Sequence, residues 1–139
     1  MIQLIYASSA VRLFSGEALL HMLEKSRTNN EKLGITGMLL YQGGNFLQVL
    51  EGQEQAVMPL YSKIQQDPRH YDVTTIMKRP LMVRLFDDWQ MGFVNLDEID
   101  LTRVPGYTSY LNQPFEPEHF VNNPTRAYIF LRTFKEFRH

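Results

Sequence analysis

The sequence predicts an α+β fold in which two helices cover one face of a β-sheet. Three observations carry this expectation. Short runs alternate apolar and polar residues, as half-buried strands do. Two longer stretches repeat apolar residues at helical spacing. In chain order these runs read strand, helix, strand, strand, helix, strand, strand. With 139 residues, 44% hydrophobic and 21% charged, the chain has the length and composition of one domain with its own core.

Ile2, Leu4 and Tyr6 alternate over residues 2–7 and give the first strand. Ser15 is placed as an N-cap, and Glu17 in the first turn favours the helix dipole. Leu19, Met22, Leu23 and Ser26 then follow at helical spacing. Asn29-Asn30 and Gly34 close that helix, since Asn and Gly serve at helix C-termini. Residues 35–41 form a second strand, Gly43-Gly44 a tight turn and residues 45–51 a third strand, so 35–51 is a hairpin. Ala56, Val57, Leu60, Tyr61 and Ile64 mark a second helix that ends at Asp67-Pro68. Residues 73–79 and 89–95 read as two further strands.

The order βαββαββ, with a central hairpin, is that of a ferredoxin-like sandwich. Both helices then lie on one sheet face, and residues 96–139 are left to cover the other. Helical pieces are expected near 96–104 and 125–137, with Phe115, Phe120, Tyr128, Phe130, Phe134 and Phe137 supplying apolar area. Pro105, Pro114, Pro117 and Pro124 break this tail into short segments. No internal repeat, low-complexity stretch or second domain is evident.

Composition narrows the function classes. Fourteen basic and 15 acidic residues give a net charge of −1, with no basic footprint for nucleic acid and no polybasic membrane patch. The absence of cysteine excludes disulfides, thiolate catalysis and zinc–thiolate sites. The N-terminus lacks the charged region and cleavage site of a secretory signal, and no apolar run reaches transmembrane length. The expectation is a soluble cytoplasmic protein. His21, His70, His119 and His139 are too scattered for a metal-ligand pattern, and no Ser–His–Asp or phosphate-loop signature occurs.

The informative run is Phe46-Leu47-Gln48-Val49-Leu50-Glu51-Gly52. Side chains alternate along a strand, so Gln48 shares a face with Phe46 and Leu50. A buried amide has two N–H donors and a carbonyl to satisfy, at about 1–3 kcal/mol for each group left unpaired. Something on that face must answer Gln48. Other candidates have ordinary readings of their own. Asn29-Asn30 can be a helix C-cap, and Asp67-Pro68-Arg69-His70 a solvated turn. Trp89 and Met91, which alternate along the last strand, can be core. Tyr6 can be a half-buried aromatic with a wet hydroxyl.

Together these residues stand in a specific series. Leu4-Ile5-Tyr6-Ala7-Ser8 is followed by Ser26-Arg27-Thr28-Asn29-Asn30, then Gly34-Ile35-Thr36-Gly37. The Phe46–Gly52 run, Asp67-Pro68-Arg69-His70, Phe86 and Trp89-Gln90-Met91 complete it. The series closely resembles the BLUF family, blue-light receptors that use FAD. The resemblance covers about residues 1–95, taken as the flavin-binding photosensor domain. Residues 96–139 are taken as a capping and output extension of the same domain.

The resemblance implies a non-covalent FAD between the two helices, contacted by Tyr6, Asn29, Asn30, Gln48, Lys63, Ile64, Asp67, Arg69 and His70. It implies Tyr6, Gln48, Met91 and Trp89 as the photoactive set: light-driven proton-coupled electron transfer with Tyr6, rearrangement of Gln48 and a red-shifted signalling state. It implies a sensor rather than an enzyme, a homo-oligomer, and signalling to a downstream regulatory protein with no nucleic-acid or membrane partner. Two departures stand out. Ala7 replaces a serine found in some members, and the tail does not match the two-helix cap of short members. The rival reading is an acylphosphatase-like small hydrolase, with Arg12 nominated for its anion-binding loop and Asn45 for its strand asparagine, although that loop lacks the glycines of a phosphate nest. An RNA-binding sheet shares the strand order but would want a basic, aromatic-rich segment that is missing.

Overall fold

The computed structural model describes residues 1–87, 91–99 and 116–135. Their elements are β1 (Ile2–Ala10), α1 (Gly16–Leu33), β2 (Thr36–Gln42), β3 (Asn45–Gly52), α2 (Glu54–Gln66), β4 (His70–Pro80) and β5 (Gly92–Asn95). A short 3₁₀ turn (Leu96–Glu98), α3 (Pro117–Asn122) and α4 (Pro124–Lys135) complete them. The strands form one sheet in the order β4-β1-β3-β2-β5. β3 lies antiparallel between β1 and β2, and β5 adds parallel to β2. This is the expected βαββαββ ferredoxin-like arrangement, with the fifth strand at the sheet edge beside β2.

Local chemistry explains the boundaries. The Ser15 hydroxyl accepts the Ala18 N–H, and Gly34 ends α1 in the left-handed conformation at φ 67°. The helix therefore runs past Asn29-Asn30, which lie inside it rather than at its end. Gly37 has a different task. A side chain there would place its Cβ 1.9 Å from the Val49 carbonyl oxygen, so only glycine lets β2 approach β3 this closely.

The central strands β1, β3 and β2 are buried on both faces. Leu19 and Leu23 of α1 and Val57 and Tyr61 of α2 pack on the face carrying Leu4, Tyr6, Leu39, Phe46 and Leu50. Phe120, Ala127, Phe130, Leu131 and Phe134 of α3 and α4 pack on the opposite face, against Ile5, Ala7, Met38, Leu47 and Val49. Two helices thus cap the second face, contrary to the expected mismatch of the tail. Pro117, read as a breaker, opens α3, where its missing N–H and fixed φ suit a first helical turn. Ala7 lies on the capped face, so its difference from serine does not touch the Tyr6 side. Of the piece expected at 96–104, the 3₁₀ turn at 96–98 is seen, and 100–104 lie outside the described residues with Phe115 and Phe137. The last strand starts at Gly92, so Met91 immediately precedes it, and Trp89 also lies outside the described residues.

A buried carboxylate anchors the segment that leads to β5. Glu51 is fully buried and accepts the Leu85 and Phe86 main-chain N–H groups, each at 2.8 Å, and the Gln3 amide at 2.7 Å. Arg79 donates in turn to the Gln3 carbonyl at 2.9 Å. Arg84 ties the same segment to the Gly34 and Glu51 carbonyls.

Candidate functional site

Register brings the central pair together. Gln48 pairs with Tyr6 of β1 on one side and Leu39 of β2 on the other, so all three project from one row toward the helices. The Tyr6 hydroxyl donates to Gln48 Oε1. Gln48 Nε2 donates to the Met91 sulfur at 3.2 Å. These two neighbours define the amide's orientation, because a thioether can accept but cannot donate. The sulfur is a weak acceptor, so the Gln48 N–H groups keep unused donor strength. Burial pushes the Tyr6 phenol well above the ordinary tyrosine range, reinforced by nearby Tyr61 and Asp67.

Tyr6 and Gln48 form the floor of a pocket between α1 and α2 that encloses about 690 Å³ of empty space, its open mouth included. Apolar walls come from Phe14, Met22, Leu39, Phe46, Leu50, Leu60 and Ile64, and polar ones from Tyr6, Ser26, Asn29, Asn30, Gln48, Asp67, Arg69 and His70. Asn30 is buried and Asn29 exposed, as successive positions on a helix flank require. At the mouth, the Asp67 carboxylate accepts the Arg69 side chain through Nε at 3.0 Å and Nη2 at 2.5 Å. Those bonds hold the carboxyl below its usual range and raise the guanidinium. His70 joins two elements: Nε2–H donates to the Ile64 carbonyl at the end of α2, and Nδ1 shares a 2.9 Å hydrogen bond with the Ser8 hydroxyl of β1. Because a carbonyl can only accept, Nε2 carries a proton. Tyr61 pins α2 to β4 by a 2.7 Å bond to Thr75.

Of the site residues expected from sequence, Tyr6, Asn29, Asn30, Gln48, Ile64, Asp67, Arg69 and His70 meet in this pocket. Met91 reaches it through Gln48. Lys63 lines a neighbouring groove with Asn29, Lys32, Leu60 and Pro59. Sequence reasoning missed Phe14, Met22, Ser26 and Leu60. Phe14, Met22 and Leu60 carried an apolar signal that fitted core equally well, and Ser26 stood only as a member of the helical repeat in α1. The residues nominated for a hydrolase do not converge. Arg12 and Asn45 line different depressions, and Asn45 is engaged by the Ser9 hydroxyl at 2.8 Å.

The sequence model of the BLUF family, sensors of blue light using FAD, matches residues 1–92. The chain belongs to the BLUF family. The photoactivated adenylate cyclase subunit beta of Euglena longa is 42% identical over 89 residues, 63% of this chain and 10% of that protein. The blue light- and temperature-regulated antirepressor BluF of Escherichia coli is 39% identical over 56 residues, 40% of this chain and 14% of that protein. The chain therefore spans about a tenth of the length of the cyclase subunits it matches. Among solved structures, the BLUF protein BlrB in its dark state superposes with a TM-score of 0.77 at 31% identity, covering 97% of this chain and 95% of BlrB. BlsA in its ground state gives 0.75 at 29%, covering 96% and 87%.

FAD is the cofactor of this family, and the pocket's chemistry fits it. Asn30 and Gln48 are buried amides that both donate and accept, matching the carbonyl and N–H edge of an isoalloxazine ring. Leu39, Leu50 and Ile64 offer apolar surface to a flat aromatic.

Proposed function

We propose that this chain is a blue-light sensor that holds FAD non-covalently in the pocket between α1 and α2, with residues 1–95 as photosensor and 96–139 as its cap and output extension. The observation that carries the reading is the Tyr6–Gln48–Met91 chain of hydrogen bonds on the pocket floor. Asn29, Asn30, Gln48 and Ile64 would hold the ring, with Asp67, Arg69 and His70 closing the mouth. Lys63, on the adjoining groove, suits the phosphate end. Bound FAD supplies a ring that absorbs blue light and, once excited, accepts an electron from a nearby phenol.

Tyr6 is suited to be that phenol. It is buried, held protonated, and its proton already points along a hydrogen bond to Gln48. Gln48 is suited to respond because an amide offers a donor on one side and an acceptor on the other. Turning it over would exchange what it presents to Tyr6 and would face its oxygen toward the Met91 sulfur, which has no proton to give. Met91 must then repack, and with it the start of β5. Trp89, two residues earlier, is proposed to share in that change. A small energy gap between two amide arrangements is what a reversible switch needs.

We further propose a sensor without enzymatic activity of its own, working in the cytoplasm as a homo-oligomer that signals to a regulatory protein rather than to nucleic acid or membrane. No helix among the described residues is long and apolar enough to cross a membrane. The test is direct. Purified protein should be yellow, release FAD on heat denaturation, and show a reversible red shift under blue light. A well-folded protein that takes up no flavin would overturn the proposal.

A further inference from the structure

Met91 is gripped from three elements. Gln48 of β3 donates to its sulfur at 3.2 Å. Gly37 of β2 leaves room for its methyl group, which lies 3.4 Å from where a Cβ would stand. Arg27 of α1 donates through Nε to its main-chain carbonyl at 2.9 Å. The first two grips act on the side chain. The Arg27 bond acts on the backbone, just before the β2–β5 pairing begins at Met38 and Gly92.

We propose that Arg27 is a positioning residue for the switch: its guanidinium clamps the chain at Met91, which keeps the thioether against Gln48 and so fixes the resting orientation of the amide. The inference rests on the reading of Tyr6 and Gln48 as the light-responsive pair. Three features set Arg27 apart from an ordinary surface arginine. Its partner residue is completely buried. The bond is charge-assisted and formed by the planar Nε–H, a directional donor. Its helix also carries Ser26 and Asn30 to the pocket wall, so one face of α1 meets both the pocket and the switch strand. The clamp thereby couples α1 to any movement of Met91. The bond favours the resting arrangement over one in which Met91 has repacked. With the bond already partly re-formed at the barrier to recovery, its loss raises that barrier as well as the resting state, and the return to rest becomes slower.

The test uses the full chain loaded with FAD. Arg27→Met keeps the apolar stem and removes the donor. Arg27→Lys restores charge and a donor without the fork. Two readouts are taken: the ¹³C-methyl NMR resonance of Met91 in the dark, assigned by its loss in Met91→Leu, and the dark-recovery rate after blue light. In Arg27→Met the resonance should shift or split, and recovery should slow about three- to tenfold, with Arg27→Lys between the two. An unchanged resonance, or recovery as fast as the parent's or faster, overturns the clamp. Should Arg27→Met fail to fold, Arg27→Lys carries the test, and an unmoved Met91 resonance in it overturns the proposal equally. The two levels separate cleanly. A parent chain with no red shift defeats the photosensor reading, whereas a normal parent with an indifferent Arg27→Met variant defeats the clamp alone.

Discussion

Tyr6→Phe removes one oxygen from the pocket floor and nothing else. In the parent, the Tyr6 hydroxyl is the donor that satisfies Gln48 Oε1, and Gln48 is only 6% exposed. Stranding a buried acceptor costs about 1–3 kcal/mol. Phenylalanine recovers part of this, because it has no hydroxyl to desolvate. A net loss of about 1–2 kcal/mol follows, or roughly 3–10 °C in melting temperature for a domain of this size. Urea denaturation of parent, Tyr6→Phe, Gln48→Leu and the double variant closes a thermodynamic cycle. Its coupling energy should be about 1 kcal/mol, as for directly bonded neighbours. The same samples, loaded with FAD, go under blue light. Tyr6→Phe should retain flavin and lose the red shift. Additive stabilities would refute the bond, and a full reversible red shift in Tyr6→Phe would refute the role given to the phenol.

Other consequences follow from the same geometry. Glu51→Ala leaves two buried and one partly buried N–H donors without their acceptor and should cost about 3 kcal/mol or more in urea denaturation; under about 1 kcal/mol would show the carboxylate to be incidental. Gly37→Ala drives a Cβ into the Val49 carbonyl and should destabilise by more than about 3 kcal/mol or yield insoluble protein, while a parent-like melting curve would contradict the close strand approach. Burial raises the Tyr6 pKa above its unfolded value. Its contribution to stability is therefore complete below the ordinary tyrosine pKa of about 10 and is lost as pH rises beyond it. Stability measured from pH 8 to 12 should fall more steeply in the parent than in Tyr6→Phe, and parallel curves would speak against a buried, protonated phenol.

Much of this was legible in the sequence because the periodicities were strong. The alternation around Gln48 placed it among buried neighbours, Ser15 and Gly34 marked the ends of α1, and Gly43-Gly44 set the hairpin whose register aligns Gln48 with Leu39. Other features depended on tertiary packing. Asn29-Asn30 carried the signature of a helix end, but the helix continues because Gly34, not asparagine, takes the left-handed position. Glu51 looked like the polar terminus of a strand. Only the docking of residues 85–86 onto the capped face shows why a carboxylate is buried there. The tail's prolines obscured α3, since a proline that breaks one helix can begin the next. The Arg27–Met91 bond joins residues 64 apart in sequence, and no local pattern could announce it.

The identity of the switch rests on Gln48, and one comparison tests it most directly: absorption difference spectra of FAD-loaded parent and Gln48→Leu, before and after blue light. The expected result is a reversible red shift in the parent and a flavin-bound but unshifting variant, since leucine fills the space without offering a hydrogen bond. A Gln48→Leu protein that red-shifts and recovers like the parent would contradict the account.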